Sequence, residues 1–357
     1  MYINDILKKM VERNASDVHL KAGSPPTFRI NGVYEDSDFP TLSSTQVREL
    51  INQMTDDKQR QRFDDEKELD FAYSVPDLAR FRVNVYLQAE NLASVMRVIP
   101  LKVLTIDELG LPHILKTLAE KPRGLILVTG PTGSGKSTTI AAMIDHINTT
   151  RRCHIITIED PIEFIHKDKV AIVDQREVGR DTLSFRNALR RILRQDPNVI
   201  VIGEMRDLET ISIAITAAET GHLVFATLHT GSAAQTISRI VDVFPHGQQQ
   251  QIRSQLSLSL EGILCQILLP GIDNKGRVAA LEIMTVTSAM RSLIRENELA
   301  QIPSAILTGK AEGMKTLDTS LKELVDSGII SYDVALAKAS NSESLKRIFL
   351  EDTKKKK

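Results

Sequence analysis

"GLILVTGPTGSGKSTTI", Gly124 to Ile140, runs from an apolar stretch through a glycine-rich loop into a helical pattern. Gly130 to Ser137 satisfies G-x-x-x-x-G-K-[ST] without a mismatch, and Ile140, Met143, Ile144 and Ile147 then recur at helical spacing. The residue types have a chemical reason. Gly133 and Gly135 permit a tight turn whose N–H groups face phosphate oxygens, at the positive end of the following helix. Lys136 reaches the β- and γ-phosphates, and Ser137 offers its hydroxyl to Mg²⁺. The expected nucleotide-binding set is Pro131, Thr132, Gly133, Ser134, Gly135, Lys136, Ser137 and Thr138, with ATP and Mg²⁺ as ligands. A chance glycine-rich turn is the plain alternative, and the strand–loop–helix setting argues against it.

Outward from the loop, "GLILVTG", "HIITIED", "NVIVIGE" and "HLVFATL" are short apolar runs parted by helical patterns. That rhythm predicts a parallel sheet covered on both faces. In such sheets ligands sit beyond the carboxyl ends of the strands. "ITIEDPIEF" supplies Glu159, Asp160 and Glu163 there, "VIVIGEMRD" supplies Glu204, Arg206 and Asp207, and "TGHLVFATLHTGSA" supplies His222 at its start and His229 at its end. Glu159, Glu163, Glu204 and His229 are therefore expected to gather round the phosphates. The bland alternative is that acids after strands cap helices, and His222 reads equally well as a structural histidine. One position is odd. Enzymes with this loop usually end a second strand in Asp, but here that place is Gly203 and the acid follows as Glu204.

The chain of 357 residues suits two domains, and 25% charged with 42% apolar residues is an ordinary soluble composition. A net charge of −1, 4% aromatics and no Trp give no electrostatic field or stacking platform for nucleic acid, so no nucleic-acid partner is expected. Cys153 and Cys265 lie far apart without metal-type spacing, which points to buried thiols in a reducing compartment. No apolar run approaches the ~20 residues of a membrane helix, and "MYINDILKKMVERN" lacks the pattern of a signal peptide. A cytoplasmic location is expected, with Lys354 to Lys357 as a solvated end.

Ile3, Ile6, Leu7, Met10 and Val11 predict an opening amphipathic helix. "SDVHLKAGSPPTFRINGVY" then alternates, with Asn31-Gly32 as a hairpin signal. Leu69, Phe71, Tyr73 and Val75 share one face of "ELDFAYSV"; Phe81, Val83, Val85 and Leu87 share one face of "ARFRVNVYL", opposite Arg80, Arg82 and Asn84. "LASVMRVI" is the expected antiparallel neighbour. The α/β chain thus divides into an α+β N-terminal domain over 1–110, a linker or hinge over 111–123, an ATPase core over 124–285 and a C-terminal helical bundle and tail over 286–357. Before "DPNVIVIGE", Phe185, Ala188, Leu189, Ile192 and Leu193 form a buried helical face, so Arg186, Arg190 and Arg194 face water or a neighbouring subunit. In "AMRSLIREN", Met290, Leu293 and Ile294 read as packed, with Arg291 and Arg295 as a separate stripe that mere solvation also explains.

"GPTGSGKSTT", "IEDPIEF", "DPNVIVIGEMRDLETISIAITAAETGHLVFATLHT" and "RIVDVFP" resemble the Walker A, Asp box, Walker B and His box of the hexameric ATPases of type IV pili and type II secretion. The resemblance runs through nearly all of residues 1 to 350 and is most specific over 124 to 245. In that family the Walker B strand ends in Gly-Glu, so Gly203-Glu204 follows the family pattern. The resemblance implies a PAS-like N-terminal domain, a RecA-like P-loop ATPase domain, a homohexamer, and arginines from the N-terminal domain completing the ATP pocket. Arg82 and Arg97 lie where those arginines occur, with Arg80 a rival for the first place; without the resemblance, both would read as edge-strand surface residues. Glu204 would support Mg²⁺ beside Ser137, Glu163 would polarise the attacking water, and Glu159 and His229 would couple phosphate state to movement; Glu163 and Glu204 are exchangeable on the sequence. Two cysteines cannot build the four-cysteine zinc site common in assembly members. The chain opens directly on the PAS-like segment, and "AMRSLIREN" is similar to a retraction-branch motif from which Met290 and Ser292 depart. The implied function is pilus retraction and twitching motility, at the inner face of the cytoplasmic membrane, against an inner-membrane platform protein. The alternatives are an accessory retraction ATPase, a ring-shaped nucleic-acid translocase, or a nucleotide-dependent binding module without hydrolysis.

Overall fold

A computed structural model describes residues 2–30, 32–99, 102–272, 276–343, 345–347 and 349. Asn31 of the expected hairpin turn and the tail Lys354 to Lys357 lie outside the described residues. The chain forms two compact units: Met1–Lys102 with Pro161–Ile165, and Val103–Asp160 with His166–Lys357.

In the first unit, α1 (Ile3–Glu12), α2 (Ser44–Asn52) and α3 (Asp57–Glu66) accompany a six-stranded sheet of order β3-β2-β1-β6-β5-β4. Its strands are β1 (Asp17–Lys21), β2 (Thr27–Ile30), β3 (Val33–Asp36), β4 (Glu68–Val75), β5 (Ala79–Gln88) and β6 (Asn91–Ile99), paired antiparallel. Period-2 alternation lays Phe28, Phe81, Val83 and Met96 against Ile3, Ile6, Leu7 and Met10 of α1 in one core. The expected alternation fails at one place. Leu87 is exposed, close to the point where β5 runs out into the turn to β6.

The second unit holds a seven-stranded sheet of order β13-β12-β7-β11-β10-β8-β9. Its strands are β7 (Gly124–Thr129), β8 (His154–Glu159), β9 (Ile172–Glu177), β10 (Val199–Ile202), β11 (Leu223–Leu228), β12 (Leu260–Pro270) and β13 (Arg277–Thr285). Strands β7, β10 and β11 are buried along their whole length, as continuous apolar runs require. The helices are α4 (Ile114–Ala119), α5 (Lys136–Thr150), α6 (Phe185–Ile192), α7 (Leu208–Glu219), α8 (Ala233–Asp242), α9 (His246–Ser259), α10 (Ser288–Arg295), α11 (Ile302–Thr308), α12 (Leu317–Asp326) and α13 (Tyr332–Lys338). Core clusters on both faces of the sheet confirm the covered parallel arrangement. Three strands were not foreseen: β9, and the antiparallel β12–β13 pair that extends the sheet beyond β7.

Helix α6 ends at Ile192, one residue short of the expected face, so Leu193 is exposed instead of buried. Arg186 and Arg190 do face outwards, but both pair with Glu209 on α7. On α10, Met290 and Ile294 are buried and Leu293 packs beside them. Arg291 is more than a solvated residue: it donates to the Ser257 and Leu258 carbonyls at 2.6 and 2.9 Å and to Glu261 at 2.9 Å, closing the end of α9. Among the described residues, no helix is long and apolar enough to cross a membrane.

Candidate functional site

Strand β7 delivers the chain to Gly130, whose φ of +136° and surroundings admit no side chain. A Cβ there would lie 2.2 Å from the Gln266 carbonyl oxygen on β12. Gly135, also left-handed at φ +87°, heads α5, so the loop passes straight into a helix N-terminus. Lys136 turns its ammonium back onto the loop, donating to Gly130 O at 2.8 Å and Pro131 O at 3.1 Å. The Gln266 amide binds the loop at two places: Nε2 donates to Ser134 O at 2.7 Å, and Oε1 accepts from Thr139 Oγ1 at 2.7 Å. The result is a backbone cradle with a cation at its mouth, suited to a polyphosphate.

Sheet order does the gathering. Strands β7, β11, β10 and β8 are consecutive neighbours, so the phosphate loop, His229, Glu204 and Glu159 stand in a row on adjoining strand ends. Glu204 Oε1 lies 2.6 Å from Arg206 Nε and 3.2 Å from His229 Nε2. The hydrogen bond from Arg206, helped by its charge and by His229, holds the Glu204 carboxyl below the usual carboxylate range despite partial burial. Glu159 accepts from Thr157 Oγ1 at 2.6 Å and from Gln175 Nε2 at 3.1 Å.

Gly203 has a steric cause. A Cβ at this position would sit 3.1 Å from the Ile158 carbonyl oxygen and 3.3 Å from Glu159 Cα. Thr227 Oγ1 donates to Gly203 O and the Gly203 N–H donates to Ile158 O at 2.8 Å, fastening β10 between its neighbours. A side chain here requires β8 to give by a few tenths of an ångström, and the carboxylate stands one residue on.

Two other candidates take structural roles. Asp207 caps α7, accepting from the Thr210 N–H at 2.9 Å and the Thr210 hydroxyl at 3.0 Å. His222 stands before β11, at the sheet end opposite the phosphate loop, with its Nδ1 2.9 Å from Ala217 O; its structural reading holds. Glu163 is exposed in the segment Pro161–Ile165, which groups with the first unit.

In the first unit, Arg82 of β5 and Arg97 of β6 are directly opposite one another in the ladder. Arg97 donates to Asp17 Oδ1 at 2.7 Å, and Arg29 on β2 lies 4.0 Å from the same buried carboxylate. Like charges facing each other across a strand pair repel, and the row Arg29, Asp17, Arg97, Arg82 sets three cations and one anion on four adjoining strands.

Sequence reasoning missed Gln266. Its signal was present: a lone polar residue inside the apolar run "GILCQILL" demands partners once buried.

The chain matches the family described as type II/IV secretion system protein over residues 1–337. It is 54% identical to the Pseudomonas aeruginosa protein named type IV pilus retractation ATPase PilT, covering 96% of this chain and 100% of that one. It is 51% identical to a twitching motility protein of Neisseria gonorrhoeae, covering 90% and 86%. A crystal structure of the pilus retraction motor PilT with bound ADP superposes with a TM-score of 0.91 at 48% identity, covering 97% and 99%.

Proposed function

The chain belongs to the family of type II/IV secretion system proteins, and we propose that it is a ring-forming motor ATPase that powers type IV pilus retraction and twitching motility. It is an ATPase, and its fold is that of the retraction motor. One observation carries the catalytic reading: the intact phosphate loop and the ionised Glu204, held by Arg206 and His229, occupy neighbouring strand ends of one sheet.

The Gly130–Thr138 loop and Lys136 bind the phosphates. The hydroxyl of Ser137 and the Glu204 carboxylate are hard oxygen donors of the kind Mg²⁺ takes together with phosphate oxygens and water, so the residues suit that ion, which supplies charge neutralisation when bound. Glu163 polarises the attacking water. Arg82 and Arg97 stabilise charge on the γ-phosphoryl group, and their opposed register supports Arg82 over Arg80 for this role. Residues 111–123 act as the hinge. Glu159 and His229 report the phosphate state to it, and only a difference in nucleotide affinity between open and closed states does work. Six copies form the ring, which acts on an inner-membrane platform protein at the inner face of the cytoplasmic membrane.

Deleting the gene and complementing with Lys136→Ala tests the reading. Hyperpiliated, non-twitching cells in both strains support it. Loss of pili indicates assembly instead, residual twitching marks an accessory ATPase, and normal retraction with Lys136→Ala overturns the mechanism. ATP hydrolysis stimulated by DNA in a salt-sensitive manner favours the translocase.

A further inference from the structure

We infer that Gln175 is a positioning residue for hydrolysis: its one amide ties together both ends of the segment that carries Glu163. The proposal rests on the reading that Glu163 directs the water.

Gln175 lies on β9 with Thr157 of β8 as its register partner, so the two side chains share a face. From there the amide reaches in two directions. Its Nε2 donates to Glu159 Oε1 at 3.1 Å, and its Oε1 accepts from the His166 backbone N–H at 2.8 Å. Glu159 closes β8 immediately before Asp160, and His166 is the residue at which the chain rejoins the second unit. Between Glu159 and His166 lie only Asp160 and Pro161–Ile165, with Glu163 near the middle. Thr157 Oγ1 donates to the same Glu159 oxygen at 2.6 Å, which fixes the carboxylate for the amide to grip.

The chemistry demands an amide. Only a group that donates at one end and accepts at the other satisfies a carboxylate and an N–H together. Glutamate at 175 keeps the acceptor for His166 but sets a second anion against Glu159. Methionine keeps the length and loses both bonds. A segment pinned at both roots presents its middle residue in a narrow range of positions, and small misplacements of a reacting group are costly.

The test uses the full-length assembled protein, with fluorescent ADP as binding probe. Gln175→Met is expected to lower kcat by about 10- to 100-fold, with KM and probe affinity held within about twofold and faster amide hydrogen exchange at residues 161–166. Combining it with Glu163→Gln should add nothing to the loss from Glu163→Gln alone. Gln175→Glu should recover toward wild type as pH falls, when the protonated acid donates to Glu159 as the amide did. An unchanged kcat in Gln175→Met beside an inactive Glu163→Gln overturns the role of Gln175 alone. An active Glu163→Gln instead removes the reading on which it rests. If Gln175→Met does not fold, the pH dependence of Gln175→Glu decides: a deficit that stays constant with pH overturns the clamp.

Discussion

His229 Nε2 stands 3.2 Å from the Glu204 carboxylate, so the ends of β11 and β10 meet through their side chains. Strand β11 also borders β7, which leads into the phosphate loop. His229 therefore stands between the strand that precedes the glycine-rich loop and the one that carries Glu204. Arg206, 2.6 Å from Glu204 on the other side, completes a three-membered polar cluster.

Arg206 sets the acid limit of this group. Its hydrogen bond is the main reason the Glu204 carboxyl titrates low. A depressed carboxylate keeps its stabilisation above its unfolded-state value and loses it as pH falls through the folded one. Arg206→Ala should therefore move the acid limb of the ATPase pH–rate profile to higher pH, by an amount read directly from kcat/KM against pH. An unmoved limb would show that another group governs it.

Gly203 tolerates no side chain without movement of β8. Gly203→Ala places a Cβ at 3.1 Å from Ile158 O and should cost about 1–3 kcal/mol of unfolding free energy by overpacking. Gly203→Asp should cost more, because it adds an anion beside Glu159 and Glu204. Urea unfolding curves of the two variants measure this directly, and a wild-type midpoint for Gly203→Asp contradicts it.

Gln266 anchors the phosphate loop to β12. Gln266→Leu removes its bonds to Ser134 O and Thr139 Oγ1, at a cost of about 2–5 kcal/mol for two stranded buried groups. Looser loop geometry should also weaken ADP binding about tenfold, roughly 1.4 kcal/mol. Thermal melts and fluorescence titration read the two effects separately; an unchanged affinity would confine Gln266 to stability.

Burial pushes the Cys265 thiol up to about 12, with the neighbouring Glu282 carboxylate adding to the shift, and burial also raises the partly exposed Cys153. The thiolate is the reactive form. At pH 8, iodoacetamide should modify Cys153 slowly and leave Cys265 untouched until the protein is unfolded. Mass spectrometry of the labelled peptides shows the order, and rapid native labelling of Cys265 would contradict the burial.

What was legible in the chain followed from how strongly each segment's pattern was dictated by burial. Strands β7, β8, β10 and β11 are largely apolar because both faces are covered, and they stood out. Strand β9, "IVDQRE", is the sheet edge, with two of its six residues exposed and three half-buried, so its polar residues concealed it. It carries Gln175, which is why that residue was overlooked. Strands β12 and β13 pair antiparallel beyond the parallel block, and no rhythm of alternating strands and helices announces such an extension. Gly203 was visible as an exception, but its cause, the carbonyl of Ile158, belongs to a neighbouring strand far away in sequence. Asp207 could not be told from a catalytic acid by position alone; a cap is recognised only by the N–H it faces.

The facing of Arg82 and Arg97 has a further consequence. Phe81 and Val83 occupy the buried face of β5, so the strand's alternation alone decides that Arg82 points the other way. A slip of one residue between β5 and β6 would break the facing pair and pull apolar side chains out of the core. The apolar packing of the first unit thus guards the placement of its charges. The stability of the sheet and the facing of the two arginines depend on the same strand register.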